Sequence, residues 1–367
     1  MQVTLPDASW LRSFRRRLPA WFDRHARKLP WRRNRDPYSV WVSEIMLQQT
    51  QVRTVIGYFD RFLTAFPTIE SLAAADEHDV LRLWEGLGYY RRARQLQQAA
   101  RIVVAEHGGR FPRDPQIVRG LPGIGRYTAG AILSIAFDAR QPILEANTLR
   151  LFSRLLAYDG DPRSTAGQRL LWAMAEAVLL RRGAGRMNQA LMELGSEICT
   201  ARAPRCEDCP IAILCLANQQ GRQLDIPRAK ATQAITAVRQ AVVLVDRRGR
   251  VLLLRWPEGQ RFARLWDFPR FPITSDSPAE VRRELAENVL ALTGVIIAPG
   301  RHVKTLTHGV TRFRITLECY EANYLSNGGD IATTLETRWL RPAELEAYPL
   351  SSTGRKLAGL FSARGAS

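Results

Sequence analysis

Apolar residues recur along this chain with two different periods. From Trp10 to about Leu216 they repeat at three- and four-residue steps. Met187, Leu191, Leu194 and Ile198 fall on one face of a helix, and Leu170, Met174, Ala177 and Val178 repeat the pattern just upstream. The first half therefore predicts helices joined by short loops. From Asn218 to about Ala237 the strong periodicity is lost, with Gly221 and Pro227 inside the stretch, as expected of a linker. Beyond it the period changes. Ala241–Val245 and Val251–Leu254 are strand-like runs around Asp246-Arg247-Arg248-Gly249-Arg250, a hairpin signal. Val281, Leu285, Val289 and Leu292 then predict one helix face ended by Gly294. Phe313, Ile315, Leu317 and Cys319 alternate with polar or amphipathic neighbours, as in a half-buried strand.

These periods predict a mainly α N-terminal half over 1–217, a linker over 218–237 and a mixed α/β module over 238–367. A chain of 367 residues can hold two or three domains. No internal repeat stands out. The net charge of +18 favours a polyanionic partner, because each neutralised phosphate releases condensed counterions. An arginine-rich proteome would supply part of that charge without any such partner. No apolar run is long enough to span a bilayer, and Met1–Arg17 lacks an apolar signal-peptide core. The expectation is a cytoplasmic protein with no membrane partner.

Four of the five cysteines, Cys199, Cys206, Cys209 and Cys215, form a C-x6-C-x2-C-x5-C array. Four thiolates so spaced can close around one [4Fe–4S] cluster, and a structural zinc is the main rival. Zinc sites of this kind usually split into two two-cysteine knuckles, and only Cys206 and Cys209 make such a pair. A disulfide framework fits poorly, since disulfide-dense chains are small and secreted. Cys319, in the alternating strand, reads as a small buried hydrophobe.

Leu121-Pro122-Gly123-Ile124-Gly125 lies between two helical stretches. Gly123 and Gly125 permit a tight turn and close backbone approach. Amides opening the next helix, around Tyr127 to Gly130, would face an anion, as in a helix-hairpin-helix that grips a DNA phosphate. A plain αα turn is the simpler alternative. Upstream, Glu44, Gln48 and Gln51 fall on one helical face, which by itself reads as a solvated polar stripe. Glu145 stands about 20 residues after Gly125. Neither carboxylate declares a role by spacing.

Taken in order, Leu29-Pro30-Trp31-Arg32, Ser43 to Val52, Gly86-Leu87-Gly88-Tyr89-Tyr90, Leu121 to Gly130, Asn188-Gln189-Ala190 and the cysteine array resemble the iron–sulfur helix-hairpin-helix DNA glycosylases. More specifically they resemble the adenine DNA glycosylases of the MutY type. The C-terminal half looks like the Nudix-fold domain with which that family reads 8-oxoguanine. The resemblance implies a monofunctional enzyme that excises adenine mispaired with 8-oxoguanine or guanine in duplex DNA. It implies a [4Fe–4S] cofactor on Cys199, Cys206, Cys209 and Cys215, within a loop over 199–215, and a monomer acting on DNA.

Residue roles follow from the same resemblance. Glu44 matches the acid that protonates the leaving adenine and later helps activate water. Asn147 matches a residue near the departing nucleoside, and Arg32 and Gln189 match base-pocket residues. Gln48 and Tyr89 match residues that wedge into the duplex, with Gln49 beside them among the DNA contacts, since a flipped base leaves a gap to fill. Tyr127 stands where related bifunctional endonucleases carry a Schiff-base lysine, and a phenol cannot form that imine. Two rivals remain: such an endonuclease acting on oxidised pyrimidines, and a lesion-binding protein with impaired chemistry. The latter draws on a departure from the family pattern, because Glu145-Ala146 replaces aspartate-glycine at the site that should stabilise the cationic sugar. In the second half, Leu265-Trp266-Asp267-Phe268-Pro269 and Leu306-Thr307-His308 fit the recognition domain, with Thr307 and His308 as contacts to the damaged base. Leu306 replaces the usual aromatic residue. Arg283-Glu284-Leu285-Ala286-Glu287-Asn288 resembles a Nudix box that has lost one of two adjacent glutamates, which implies a binder rather than a hydrolase.

Overall fold

The computed structural model describes residues 4–228, 234–260, 262–310, 312–328 and 335–362. Its backbone groups into two units, one within Met1–Ala75 and Arg94–Ala231, the other within Asp76–Ala93 and Thr232–Ser367. Residues 76–93, which fall inside the helical span read from the sequence, thus go with the sheet. Residues 229–233 of the expected linker lie outside the described residues.

The helices up to the cysteine loop are α1 (Ala8–His25), α2 (Pro37–Leu47), α3 (Val52–Ala65), α4 (Ile69–Ala74), α5 (Glu77–Trp84), α6 (Arg91–His107), α7 (Pro115–Gly120), α8 (Arg126–Phe137), α9 (Ala146–Leu155), α10 (Thr165–Val178) and α11 (Ala184–Glu197), with α12 (Leu216–Gln219) after it. Many starts are written in the sequence. Asp7, Asp36, Thr68, Asp114 and Ser164 each accept a hydrogen bond from an amide of the helix they precede. Pro37 and Pro115 occupy the first helical position, where a missing N–H loses nothing. Phe14, Leu18 and Trp21 of α1 pack with Phe152 of α9, Met174 of α10, and Met187, Leu191 and Leu194 of α11 in one core. On α10 the buried set is Leu171, Met174, Ala175 and Val178, so the face is rotated by about one residue from the expected one. Leu170 only flanks the core. No helix among the described residues is long and apolar enough to cross a membrane.

The second unit is built on β1 (Thr236–Arg247), β2 (Arg250–Arg255), β3 (Trp266–Asp267), β4 (Arg270–Pro272), β5 (Val295–Val310), β6 (Phe313–Asn327) and β7 (Thr337–Leu340), with α13 (Pro278–Thr293) and α14 (Ser352–Ser362). The predicted hairpin forms between β1 and β2. Arg248 (φ 53°) and Gly249 (φ 75°) both sit in the left-handed region, as a two-residue turn of matching twist requires. The main strand path runs β3-β2-β1-β6-β5. β1 pairs with β6 in parallel from Thr236/Phe313 to Asp246/Asn323, and β5 pairs antiparallel with β6. Ala241, Val243 and Val245 face α13, whose Val281, Leu285 and Val289 cover them. Val242 and Leu244 face the other way, with Ile315, Leu317 and Cys319, towards Leu357 of α14. Burial on both faces explains why β1 reads as a continuous apolar run rather than an alternation. Gly294 ends α13 in the left-handed region, as its position predicts.

Candidate active site

Tyr38 through Met46 are buried, so α2 is enclosed on every side, and Glu44 is its one acid. The helix stops at Leu47, Gln48 caps it, and Gln51 caps α3. Glu44, Gln48 and Gln51 therefore do not share one helix face, and Glu44 is no part of a solvated stripe. It is 5% exposed. Burial pushes its carboxyl up to about 7. The hydrogen bond from Tyr127 and the charge of Arg32 oppose that rise, and the charge of Glu145 adds to it.

Tyr127 reaches Glu44 from the start of α8. Its hydroxyl donates to Glu44 Oε2 at 2.8 Å and lies 3.3 Å from Met192 Sδ. Burial raises the phenol well above its ordinary range, so it remains a donor. The turn before α8 depends on Gly123, which adopts φ 79° with Gln95 close by. Gly125 caps α8 without a side chain, which leaves the first-turn amides to other acceptors. Gln48 Nε2 donates to Thr128 Oγ1 at 3.3 Å. Gln49 is exposed at φ 56°.

One cavity of about 180 Å³ is lined by Glu44, Tyr127, Glu145, Asn147, Arg32 and Gln189 together. Six residues scattered over some 160 positions of sequence are thus brought to one place. Glu145 does more than line it. Its carboxylate caps α9, accepting from Asn147 N (2.8 Å to Oε2) and Thr148 N (2.8 Å to Oε1), while Thr148 Oγ1 accepts from Glu145 N. Burial pushes the Glu145 carboxyl up, against the pull of those two amides. Asn147 Oδ1 accepts from Arg150 at 2.9 Å. Asn188, next to Gln189, turns into the core instead and donates to Ser134 Oγ and the Gln141 carbonyl.

Sequence reasoning missed Glu193, which lines the same cavity at 1% side-chain exposure. Arg27 grips both its oxygens, at 2.8 and 2.9 Å, and Arg32 bonds Oε2 at 2.9 Å. Burial would raise its carboxyl, but these bonds outweigh it and hold the group at about 2. The available signal was a carboxylate set between Ala190, Leu191 and Leu194 on an otherwise apolar face.

The four cysteines of the array line one small cavity with Leu151, Arg154 and Ile211. All are free thiols. Arg154, buried in α9, donates to the carbonyls of Thr200, Ala201 and Ile226 and to Cys199 Sγ at 3.2 Å. It ties the loop to the start of the expected linker. Among the described residues no three His, Cys, Asp or Glu side chains are drawn together as ligands of one ion. A set of four soft sulfur donors around one cavity fits an iron–sulfur group by its chemistry.

The remaining sequence candidates lie in the sheet unit. Tyr89 stands after Gly86 (φ 97°) and Gly88 (φ 70°), is 49% exposed, and itself adopts φ 47°, a rare conformation for a bulky side chain. Thr307 and His308 lie within β5, near its end; Thr307 is exposed and His308 half-buried. Leu306 packs on the core. Leu265, Trp266, Asp267 and Phe268 are all buried, so that motif is a packing element. Glu284 of the box-like segment accepts from Thr274 and Ser275, closing a loop.

Residues 42–176 match the HhH-GPD superfamily base excision DNA repair protein family, and residues 240–359 match the NUDIX domain. The adenine DNA glycosylase of Rattus norvegicus is 33% identical over 408 residues, spanning 97% of this chain and 79% of the relative. That of Homo sapiens is 32% identical over 413 residues, spanning 97% and 75%. Among solved structures, a thermostable thymine-DNA glycosylase shares 28% identity at a TM-score of 0.54, covering 58% of this chain and 100% of that one.

Proposed function

The chain belongs to the adenine DNA glycosylase family, and from that premise we propose that it hydrolyses the N-glycosidic bond of adenine paired with 8-oxoguanine or guanine in duplex DNA. The observation that carries the reading is Glu44: a buried carboxyl with a pKa of about 7, hydrogen-bonded by Tyr127, in a cavity shared with a second carboxylate. Such a group still holds a proton near neutrality, so it can protonate a leaving purine. Having given that proton, it is the base that activates a water entering the cavity. Glu145 supplies negative charge where the sugar becomes cationic, and the α9 amides favour its charged form. Asn147, Arg32 and Gln189 hold the nucleoside. Tyr127 keeps Glu44 oriented and offers no amine for an imine, which supports hydrolysis without strand cleavage. Cys199, Cys206, Cys209 and Cys215 would hold a [4Fe–4S] group, whose metal–sulfur bonds cross-link the loop. Gln48, Gln49 and Tyr89 meet the duplex beside the mispair, with Gly123 and Gly125 at a phosphate. Thr307 and His308 contact the 8-oxoguanine. The same reading puts the protein in a reducing compartment, the cytoplasm, where four thiolates stay available to hold a cluster rather than pairing as disulfides.

One observation favours a second reading, a lesion binder with impaired chemistry: both Glu145 oxygens are already engaged by amides of the helix they cap. A single-turnover assay on an A:8-oxoguanine duplex separates the two. Adenine release that collapses in Glu44→Gln, with no borohydride-trapped protein–DNA adduct, supports the enzyme. Tight mispair binding by the unmodified protein without release would establish the binder.

A further inference from the structure

The segment that carries Tyr89 is built onto the C-terminal residues of its own unit. Glu85, at the end of α5, is 7% exposed in its side chain and makes a two-pronged pair with Arg355 of α14, 2.6 Å from Nε to Oε1 and 2.9 Å to Oε2. Glu85 Oε2 also accepts from Leu350 N at 3.2 Å. Arg355 in turn donates to the carbonyls of Leu345 and Tyr348, at 2.8 and 2.6 Å. Tyr90, next to Tyr89, is buried and donates to the Leu350 carbonyl at 3.1 Å. His78 meets the Ala347 carbonyl and Arg82 donates to that of Glu346. The receiving stretch is itself rooted in the core through Leu345, Leu350 and Leu357.

From the first turn of α6, buried Arg92 donates back to the Leu87 and Gly88 carbonyls of the loop, each at 3.2 Å. Trp84 Nε1 donates to the Gly88 carbonyl as well. The Arg92 guanidinium lies 5.5 Å from the centre of the Tyr89 ring. A half-exposed aromatic in a left-handed conformation persists only where its surroundings over-determine the backbone. Here those surroundings are Arg92 in the first turn of α6 and the 345–355 stretch that holds Glu85 and Tyr90 on either side.

We propose that the C-terminal sheet is the scaffold of the Tyr89 loop, with Glu85, Arg355 and Arg92 as positioning residues that hold Tyr89 ready for the duplex. The proposal rests on the reading of Tyr89 as a DNA contact. It gives the C-terminal half a task separate from base contact at Thr307 and His308: it sets the geometry of a probe that lies more than 200 residues earlier in the chain.

The test uses the full-length, iron-containing protein. Glu85→Gln with Arg355→Met removes the pair without leaving one buried charge unmatched. Arg92→Lys keeps the pair but withdraws the terminal Nη2 nitrogen that donates to both carbonyls, because the lysine side chain is shorter. Affinity for an A:8-oxoguanine duplex is measured against that for an undamaged duplex, alongside thermal midpoints. Tyr89→Ala should reduce the mispair preference about tenfold, and both positioning variants should do the same while folding normally. Adding Tyr89→Ala to either should cost less than about threefold more, because coupled residues are not additive. Normal preference in both positioning variants, with Tyr89→Ala still impaired, overturns the scaffold while leaving the reading of Tyr89 intact. Normal preference in Tyr89→Ala removes that reading and the proposal with it. If the double variant does not fold, Arg92→Lys decides alone.

Discussion

In its proposed role as the acid, Glu44 acts only while it holds its proton, so the rate of adenine release should fall as pH rises through about 7. A single-turnover profile checks this. Glu44→Gln should flatten that limb and lie at least about 100-fold lower. The same group ties stability to pH. Its pKa is raised in the fold, so its contribution is complete below the ordinary carboxylate range and is lost as pH climbs through about 7. Above neutrality Glu44→Gln should therefore melt higher than the unmodified protein, a result opposite in sign to its effect on rate. Glu145 gives a second test. Removal of its carboxylate in Glu145→Ala should weaken the start of α9 by about 1 kcal/mol and slow release by about 100-fold. Glu145→Asp preserves an N-cap, so its stability should stay within about 0.5 kcal/mol of the original. Any rate change in it then reports the position of charge alone. A Glu145→Ala variant that releases adenine at full speed would show that the charge opposite the sugar comes from elsewhere.

At the scale of elements, α9 and α11 meet so closely that only glycine fits at position 195. A Cβ there would lie 2.8 Å from Asn147 Cβ and 3.3 Å from its backbone. Gly195→Ala should push Asn147 within the cavity, reducing release while lowering stability by about 1–3 kcal/mol. DNA affinity should change far less, and a normal rate in this variant would detach Asn147 from the chemistry. Elements differed in how legible they were. The faces of α11, α13 and β6 could be read because one side is buried and the other is not, and Gly294 announced where α13 stops. α2 offers no face to find because it is buried all round, and the spacing of its Glu44 from Gln48 and Gln51, which lie beyond its end, mimics a solvated stripe. The parallel pairing of β1 with β6 left no trace, since neither strand encodes the identity of a partner about 75 residues away. Of the site, the family motifs marked Glu44, Tyr127 and Asn147. Glu193 stayed hidden because a carboxylate neutralised by Arg27 and Arg32 looks, in sequence, like any surface acid.

For the whole molecule, the cysteine array sets a direct check. Purified protein should contain about four iron atoms per chain and absorb broadly near roughly 400 nm. Cys206→Ser should lower iron content and folded yield, whereas Cys319→Ser, whose thiol is buried in the sheet core, should leave iron unchanged. Stoichiometric zinc in place of iron would refute the assignment. The passage of residues 76–93 into the sheet unit also has a consequence during synthesis. Glu85 leaves the ribosome 270 residues before Arg355. At about 5–20 residues per second that is a wait of roughly 15–50 s. Throughout that interval Glu85 and Tyr90 lack the Arg355 and Leu350 groups they finally bond, while helices on either side of the segment can already condense. The nascent chain must keep this stretch from sticking elsewhere, so it is the natural place for a chaperone to bind and the first place where a slowed or truncated translation product would aggregate.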